Sequence, residues 1–271
     1  MLHVTTHDVR IPALGLGTFG LNGAVAERIV GHALEIGYRH VDTAQMYGNE
    51  TEVGAGIRRS AVPRDEIWLT TKIWPDHFRA DDLLRAAEQS VRRLGTEPDI
   101  LLLHWPNPGV PLEETVGALN EAKNRGLTRH IGISNFTTAL IREAVGHSSA
   151  PLLLNQVEYH PYLDQSAVLQ ELARHGMALT AYSPIGRGEV FRDPTLQRIG
   201  QAHGKNAGQV TLRWLMQQGV CAIPRSSREA NVKANLDIFD FTLSDDEMAE
   251  ISGLARPHGR MVQPAVAPDW D

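Results

Sequence analysis

The stretch His40-Val41-Asp42-Thr43-Ala44-Gln45-Met46-Tyr47-Gly48-Asn49-Glu50 holds the first residues whose types could do chemistry together. It reads as a short strand, then a turn, then the start of a helix at Glu50. Asp42 falls at the end of the strand and Tyr47 in the loop just beyond. The next two apolar runs end in Thr70-Thr71-Lys72-Ile73-Trp74 and Leu103-His104-Trp105-Pro106. A lysine inside an apolar strand is costly unless paired, and Asp42 is the obvious partner. Free tyrosine titrates near ~10 and is a poor acid at neutral pH. A nearby ammonium favours the phenolate, so Lys72 is expected to lower the pKa of Tyr47. His104 could hydrogen-bond a carbonyl oxygen and orient it. Asp42, Tyr47, Lys72 and His104 are thus equipped to protonate a carbonyl oxygen as it gains negative charge, with no covalent nucleophile. Singly, each has a plainer reading: a packed loop tyrosine, a lysine snorkelling at a strand end, a satisfied core histidine. Their joint placement at consecutive strand ends is what points to a site.

Later strand ends carry a different set. Ser134-Asn135 ends a fifth strand, Asn155-Gln156 lies in a sixth and is read as facing inward, and Tyr182-Ser183-Pro184 ends a seventh. Side-chain amides and hydroxyls can fix a carboxamide, and a tyrosine face can stack on a flat ring. An eighth strand runs into Ile223-Pro224-Arg225-Ser226-Ser227-Arg228, where cations at a strand-to-helix turn make a phosphate site. Caps and turns would explain any one of these alone. Gly15-Leu16-Gly17-Thr18-Phe19-Gly20 matches G-x-G-x-x-G, but Leu21-Asn22-Gly23 intervene before any helical spacing and Pro12 interrupts the strand before it. These glycines are better read as turning a barrel strand into its loop than as a dinucleotide fingerprint.

The elements that must position these groups alternate along the chain. Residues 2–16 read as short strands broken by His7-Asp8 and Pro12, a hairpin leading into a first core strand. Helical spacing over residues 25–36 is followed by a strand at 40–43 and a helix at 50–59. Strands at 67–73, 100–105, 130–134, 152–159, 178–182 and 220–224 are separated by helical patterns at 81–94, 112–125, 138–145, 165–175, 195–203 and 207–218. Helices around Asn231 and over 244–254 precede a proline-rich tail, 257–271. Eight strand-then-helix units with short links argue for a closed parallel barrel, whose strands' carboxyl ends are where chemistry is carried. The expected fold is α/β: a (β/α)8 TIM barrel with an N-terminal β-hairpin, one domain over residues 1–271.

Bulk properties exclude other classes. The 271 residues are 42% hydrophobic and 21% charged with a net charge of -6, which argues against a nucleic-acid-binding surface. The single cysteine, Cys221, offers no disulfide framework and fits a reducing compartment. The N-terminal residues carry no signal-peptide pattern, and no apolar run is long enough to cross a bilayer. A cytoplasmic monomer, with neither nucleic acid nor membrane as partner, is expected.

These residues make the chain resemble the aldo-keto reductases over nearly its whole length. The motifs that carry the resemblance are Gly17-Thr18, Asp42-Thr43-Ala44 with Tyr47-Gly48-Asn49-Glu50, Lys72-Ile73-Trp74, Leu103-His104-Trp105-Pro106, Gly132-Ile133-Ser134-Asn135-Phe136, Asn155-Gln156-Val157-Glu158 with His160-Pro161, and Ile223-Pro224-Arg225-Ser226. The resemblance implies an NAD(P)H-dependent carbonyl reductase with Asp42, Tyr47, Lys72 and His104 as its tetrad and Tyr47 as general acid. It implies that Ser134, Asn135 and Gln156 hold the nicotinamide carboxamide while Tyr182 stacks on the ring. Gly17, Thr18, Asp42, Ser183, Pro184, Ile223 and Pro224 belong to the same cofactor wall, and Ile185-Gly186 begins a modest lid over it. Arg225, with Ser226, Ser227 and Arg228 close by, matches positions that receive a 2′-phosphate, and Asn235 one that contacts adenine. Asn231 stands where the family often has a second arginine, so NADPH is expected to be preferred with reduced discrimination against NADH. The ending Arg260-Met261-Val262 with Ala267-Pro268-Asp269-Trp270-Asp271 is similar to that of a bacterial subgroup associated with 2,5-diketo-D-gluconate and methylglyoxal reduction. Phe19, Trp74, Trp105 and Trp270, with Val262, Pro264 and Val266, would wall a pocket for a small carbonyl above Tyr47 and His104.

Two other readings compete. His40 and Asp42 alternate on one strand face as ligands of a metal-dependent barrel hydrolase would, but no His-x-His or other cluster with metal-ligand spacing accompanies them, and no metal is expected. The same barrel could also bind NADPH without turnover, against which the complete tetrad argues.

Overall fold

The computed structural model describes residues 2–271. The chain begins with an antiparallel hairpin, β1 (His3–Thr6) and β2 (Val9–Pro12), whose turn residues His7 and Asp8 both take positive φ. That is the backbone a two-residue hairpin turn requires. There follow β3 (Leu16–Gly17), α1 (Gly23–Glu35), β4 (His40–Asp42), α2 (Glu50–Arg59), β5 (Trp68–Ile73), α3 (Ala80–Leu94), β6 (Ile100–Leu103), α4 (Leu112–Asn124) and β7 (His130–Ser134). The second half comprises α5 (Thr138–His147), β8 (Leu152–Glu158), α6 (Ser166–Arg174), β9 (Ala178–Tyr182), α7 (Pro194–His203), α8 (Ala207–Gln217), β10 (Cys221–Ala222), α9 (Glu229–Leu236) and α10 (Asp245–Ser252).

Strands β3 to β10 form one parallel sheet in which each pairs with its neighbours in sequence. The sheet closes on itself. Leu14 bridges Ala222 in parallel, Ala222 N donates to Ala13 O, Gly15 N to Ala222 O and Gly17 N to Pro224 O. The expected (β/α)8 barrel with its hairpin is therefore present. Its first and last strands are shorter than the sequence implied: residues 220–224 reduce to Cys221–Ala222, because Pro224 has no N–H to give and serves the seam only through its carbonyl.

A strand's side chains alternate, so one parity of each strand faces the barrel interior. On β5 that parity is Trp68, Thr70 and Lys72; on β8 it is Leu154, Gln156 and the buried Glu158. At the amino end of the barrel the interior is apolar: Ile11, Trp68, Ile100, Leu102, Leu154, Ala178 and Cys221 pack together, with Val4 and Val9 of the hairpin against them. Toward the carboxyl end the same strands turn polar. The opposite parity meets the helices, as where Thr71 Oγ1 donates to Glu50 Oε1 at the start of α2 (2.6 Å).

Candidate active site

Lys72 is the anchor of the polar end. Its side chain is wholly buried, which no ammonium tolerates without partners. Nζ donates to Asp42 Oδ1 at 2.6 Å and to the Thr43 carbonyl at 2.9 Å, and reaches the Tyr47 hydroxyl at 3.5 Å. It also lies 5.1 Å from the centroid of the Tyr47 ring. Strand pairing produces this, because Asp42 of β4 stands opposite Thr70 of β5, one inward position before Lys72. His104 follows β6, its amide donating to the Ile73 carbonyl, and its ring meets Tyr47 edge-on at 5.7 Å. The four side chains that the sequence picked out are thus contiguous at the barrel mouth.

Burial sets their charges. His104 is held well below the ordinary imidazole range, first by burial and then by the Lys72 charge, so it is neutral at pH 7. Its Nδ1 is buried without a hydrogen-bond partner. Burial also pulls the Lys72 ammonium down, opposed by Asp42. For Tyr47 the expectation is overturned: its phenol lies well above its usual range rather than below it. Burial is the main cause and the Asp42 carboxylate the second. Lys72 Nζ sits closer to Asp42, at 2.6 Å, than to the Tyr47 hydroxyl, at 3.5 Å.

The amide set forms a second layer beside the first. Gln156 Nε2 donates to Asp42 Oδ2 at 2.7 Å, giving both oxygens of that carboxylate a fixed partner. Asn135 Nδ2 donates to the His104 carbonyl and to Ser134 Oγ, and its Oδ1 accepts from the Tyr182 hydroxyl at 2.8 Å. Ser134 Oγ donates to the Gln156 carbonyl. Asn155 does not face inward beside Gln156. Successive strand residues point to opposite faces, and Asn155 instead brackets Phe136, accepting from its amide and donating to its carbonyl. Asn135, Ser183 and Arg187 all adopt positive φ without being glycine. Backbone held in this sparsely populated region concentrates at functional sites.

The remaining cofactor candidates ring the same mouth. Thr18 Oγ1 and N both donate to the Asp42 carbonyl, joining the Gly17-Thr18 turn to β4. Ser183, Pro184, Ile185 and Gly186 lead from β9 into two short turns of helix kinked at Arg187 and Gly188. Ile223 and Pro224 are buried at the seam, and Ser227 is half-buried beyond them. Arg225 is exposed and donates through Nε to the Phe19 carbonyl and through Nη2 to the Gly20 carbonyl. Ser226 Oγ accepts from the Arg228 amide just before α9, on which Asn231 is exposed and Asn235 half-buried. Among the described residues neither Arg225 nor Arg228 is paired with a carboxylate, although most arginines here are. Two uncompensated guanidinium groups at a strand-to-helix turn fit an anionic ligand such as a nucleotide phosphate.

Each aromatic wall candidate finds a neighbour. Phe19, 61% exposed, meets Tyr47 edge-on at 5.1 Å, Trp74 meets His104 at 5.3 Å, and Trp270 of the tail meets the buried Trp105 at 6.1 Å. His40 sits beneath Asp42, its Nδ1 3.0 Å from the Pro12 carbonyl and its Nε2 3.4 Å from Thr70 Oγ1. Both ring nitrogens thus face protein partners. No group of three or more His, Cys, Asp or Glu side chains among the described residues is arranged to hold a metal, and no helix there is long and apolar enough to cross a membrane.

Sequence reasoning placed Asn49 only in the turn before Glu50 and assigned it no role. It stands at the N-cap of α2, but its side chain makes no capping bond. Its Nδ2 donates to the carbonyls of Thr18 and Leu21, and its Oδ1 accepts from Thr43 Oγ1, tying the loop after β3 to that after β4. Its position in a turn before a helix masks that role.

A closed parallel barrel with this mouth defines an α/β-barrel enzyme. The chain belongs to the aldo/keto reductase family, whose pattern matches residues 13–256, and it is an oxidoreductase. It is 42% identical to the methylglyoxal reductase DkgB of Salmonella typhi over 266 residues, 96% of this chain and 99% of that one. It superposes with TM-score 0.98 and 52% identity on a crystal structure assigned as a 2,5-diketo-D-gluconic acid reductase B, covering 100% of this chain and 98% of the other. The Bombyx mori aldo-keto reductase AKR2E4, solved in complex with NADP, is 32% identical with TM-score 0.89, covering 97% of this chain and 95% of that one.

Proposed function

We propose that this chain reduces a small carbonyl compound, a dicarbonyl such as methylglyoxal or 2,5-diketo-D-gluconate foremost, with NADPH as reductant and Tyr47 as the proton donor. The observation that carries the reading is the contiguous line from Asp42 through Lys72 to the Tyr47 hydroxyl beside a neutral His104. Reduced nicotinamide, when bound, supplies the hydride. A phenol held protonated by burial keeps its proton at neutral pH until a carbonyl oxygen gains negative charge, which is when a general acid must give it up. Lys72 then stands ready to support the phenolate that remains, with Asp42 and Gln156 fixing its position. Neutral His104 has a proton to donate to the carbonyl oxygen and so orients it, while Phe19, Trp74, Trp105 and Trp270 exclude water around it. Ser134, Asn135 and Gln156 would hold the carboxamide, the Tyr182 face the ring, and Arg225, Ser226 and Arg228 the 2′-phosphate. Asn235 would meet the adenine. One barrel domain over residues 1–271, working as a cytoplasmic monomer, completes the reading. The relatives' names support the substrate class.

The test is carbonyl-dependent loss of NADPH absorbance across dicarbonyls, aldehydes and keto-acids, repeated with NADH. No oxidation with any carbonyl would leave a binding module instead of an enzyme. Arg225→Ala is expected to weaken NADPH binding strongly and NADH binding little, since an arginine grips phosphate through two parallel bonds. Equal losses, or a wild-type preference for NADH, would remove Arg225 from the 2′-phosphate. The expected preference is incomplete because Asn231 stands where a second arginine would lie near the start of α9.

A further inference from the structure

Residues 256–271 contain no helix or strand, and one buried group holds the middle of their course. Glu158 ends β8 on its inward parity with no solvent exposure, opposite Tyr182 of β9. Its Oε1 accepts from the Met261 amide at 2.7 Å and lies 2.9 Å from His160 Nε2. Its Oε2 accepts from the Val262 amide at 3.0 Å and faces Arg260 Nη1 at 3.9 Å. That Nη1 is buried without a hydrogen bond, so Arg260 balances the charge without ligating it. The Arg260 guanidinium carbon lies 3.5 Å from the centroid of Trp270, which also meets Trp105 edge-on and donates through Nε1 to Gln263 Oε1 at 2.6 Å. The tail is also pressed close at Gly259, where a Cβ would stand 1.8 Å from the Tyr162 carbonyl oxygen. Its last residue, Asp271, accepts from Thr138 N and Oγ1 at the start of α5.

A buried carboxylate is an expensive way to hold a tail, since apolar packing would do so without desolvating a charge. What a carboxylate adds is direction: two oxygens receive two successive amides and fix the local backbone. We propose that Glu158 is a positioning residue for the substrate wall. It fixes the backbone at Met261 and Val262, hence the place of Arg260, and through Arg260 the pose of Trp270 against Trp105. Its effect falls on substrate affinity rather than on the chemical step. The proposal rests on the reading of this mouth as a carbonyl reductase site.

Glu158→Gln tests it. The glutamine keeps one acceptor oxygen but turns an N–H donor toward a tail amide. With methylglyoxal as probe, KM is expected to rise roughly tenfold or more, as loss of one charge-assisted hydrogen bond allows, while kcat and the NADPH Kd stay nearly unchanged. Trypsin should cut faster after Arg260. Trp270→Ala should raise KM similarly, and the double variant should be no worse than the poorer single one, because both act through one wall. Met261→Pro removes one donated amide without touching Glu158 or a wall residue, and serves if Glu158→Gln does not fold. A loss confined to kcat or to NADPH binding, additive KM effects, or unchanged trypsin cleavage would overturn the proposal. The cleavage arm needs no activity, so a wild-type protein that reduces no carbonyl would defeat the functional reading while the clasp remained measurable.

Discussion

A proton that must be given up at one moment is best kept until then, and the environment of Tyr47 keeps it. Replacing the tyrosine by phenylalanine retains the ring against Phe19 and His104 but removes that proton. Tyr47→Phe should lower kcat for carbonyl reduction by about two to four orders of magnitude while NADPH affinity, read by fluorescence titration, changes little. Near-normal turnover would take the acid role away from Tyr47. Lys72→Met leaves Asp42 buried beside an apolar group, and breaking a buried pair from one side costs about 3–5 kcal/mol. Urea unfolding should register that loss, and the variant that still folds should show an altered pH profile of reduction. An unchanged rate and profile would separate Lys72 from Tyr47. His104 gives a stability signature as well. Its folded pKa is depressed below the ordinary ~6.5, so below that value the unfolded chain takes up a proton that the folded chain refuses. Stability from this group is full above about pH 6.5 and falls as pH drops below it, and His40 is shifted in the same direction by burial. The urea midpoint should therefore fall between about pH 7 and about pH 5, and fall less in His104→Gln.

At the scale of elements, the helix layer is packed closely enough for single glycines to set the spacing. On α2, a Cβ at Gly54 would stand 2.1 Å from the backbone carbonyl oxygen of Leu94, the last residue of α3. Backbone cannot yield as a flexible side chain does. Gly54→Ala should cost about 1–3 kcal/mol in urea unfolding with kcat of the folded enzyme unchanged, since overpacking moves the helix and not the mouth. A variant as stable as wild type would show that α2 and α3 separate freely. Most elements were legible from sequence because their apolar residues form a run or a period: β6 is apolar throughout and α3 apolar on one face. The tetrad was legible because charged and polar types stand out at the ends of such runs. The clasp at Glu158, the hub at Asn49 and the bond from Gln156 to Asp42 were not. Each joins segments far apart in sequence, and its partner is fixed by strand register and loop path. The error at Asn155 is of the same origin, since adjacent amides look alike until parity is assigned. The direction of the Tyr47 shift was misread because a list of nearby charges does not show how burial weighs on the phenol.

For the whole molecule, the barrel is one sheet wrapped until residues 13–17 meet residues 222–224. Every other strand pair joins neighbours in sequence and can zip as the chain lengthens. The seam alone must wait for nearly the entire chain, and its closure bears the largest loop-closure entropy. A growing chain therefore passes through an open sheet with β3 on one edge, and open edges invite pairing with other chains. Here β3 and β10 are two residues each, the shortest strands in the sheet. The barrel is thus joined at its two weakest edges, and those offer a passing strand the least backbone to seize while the sheet is still open.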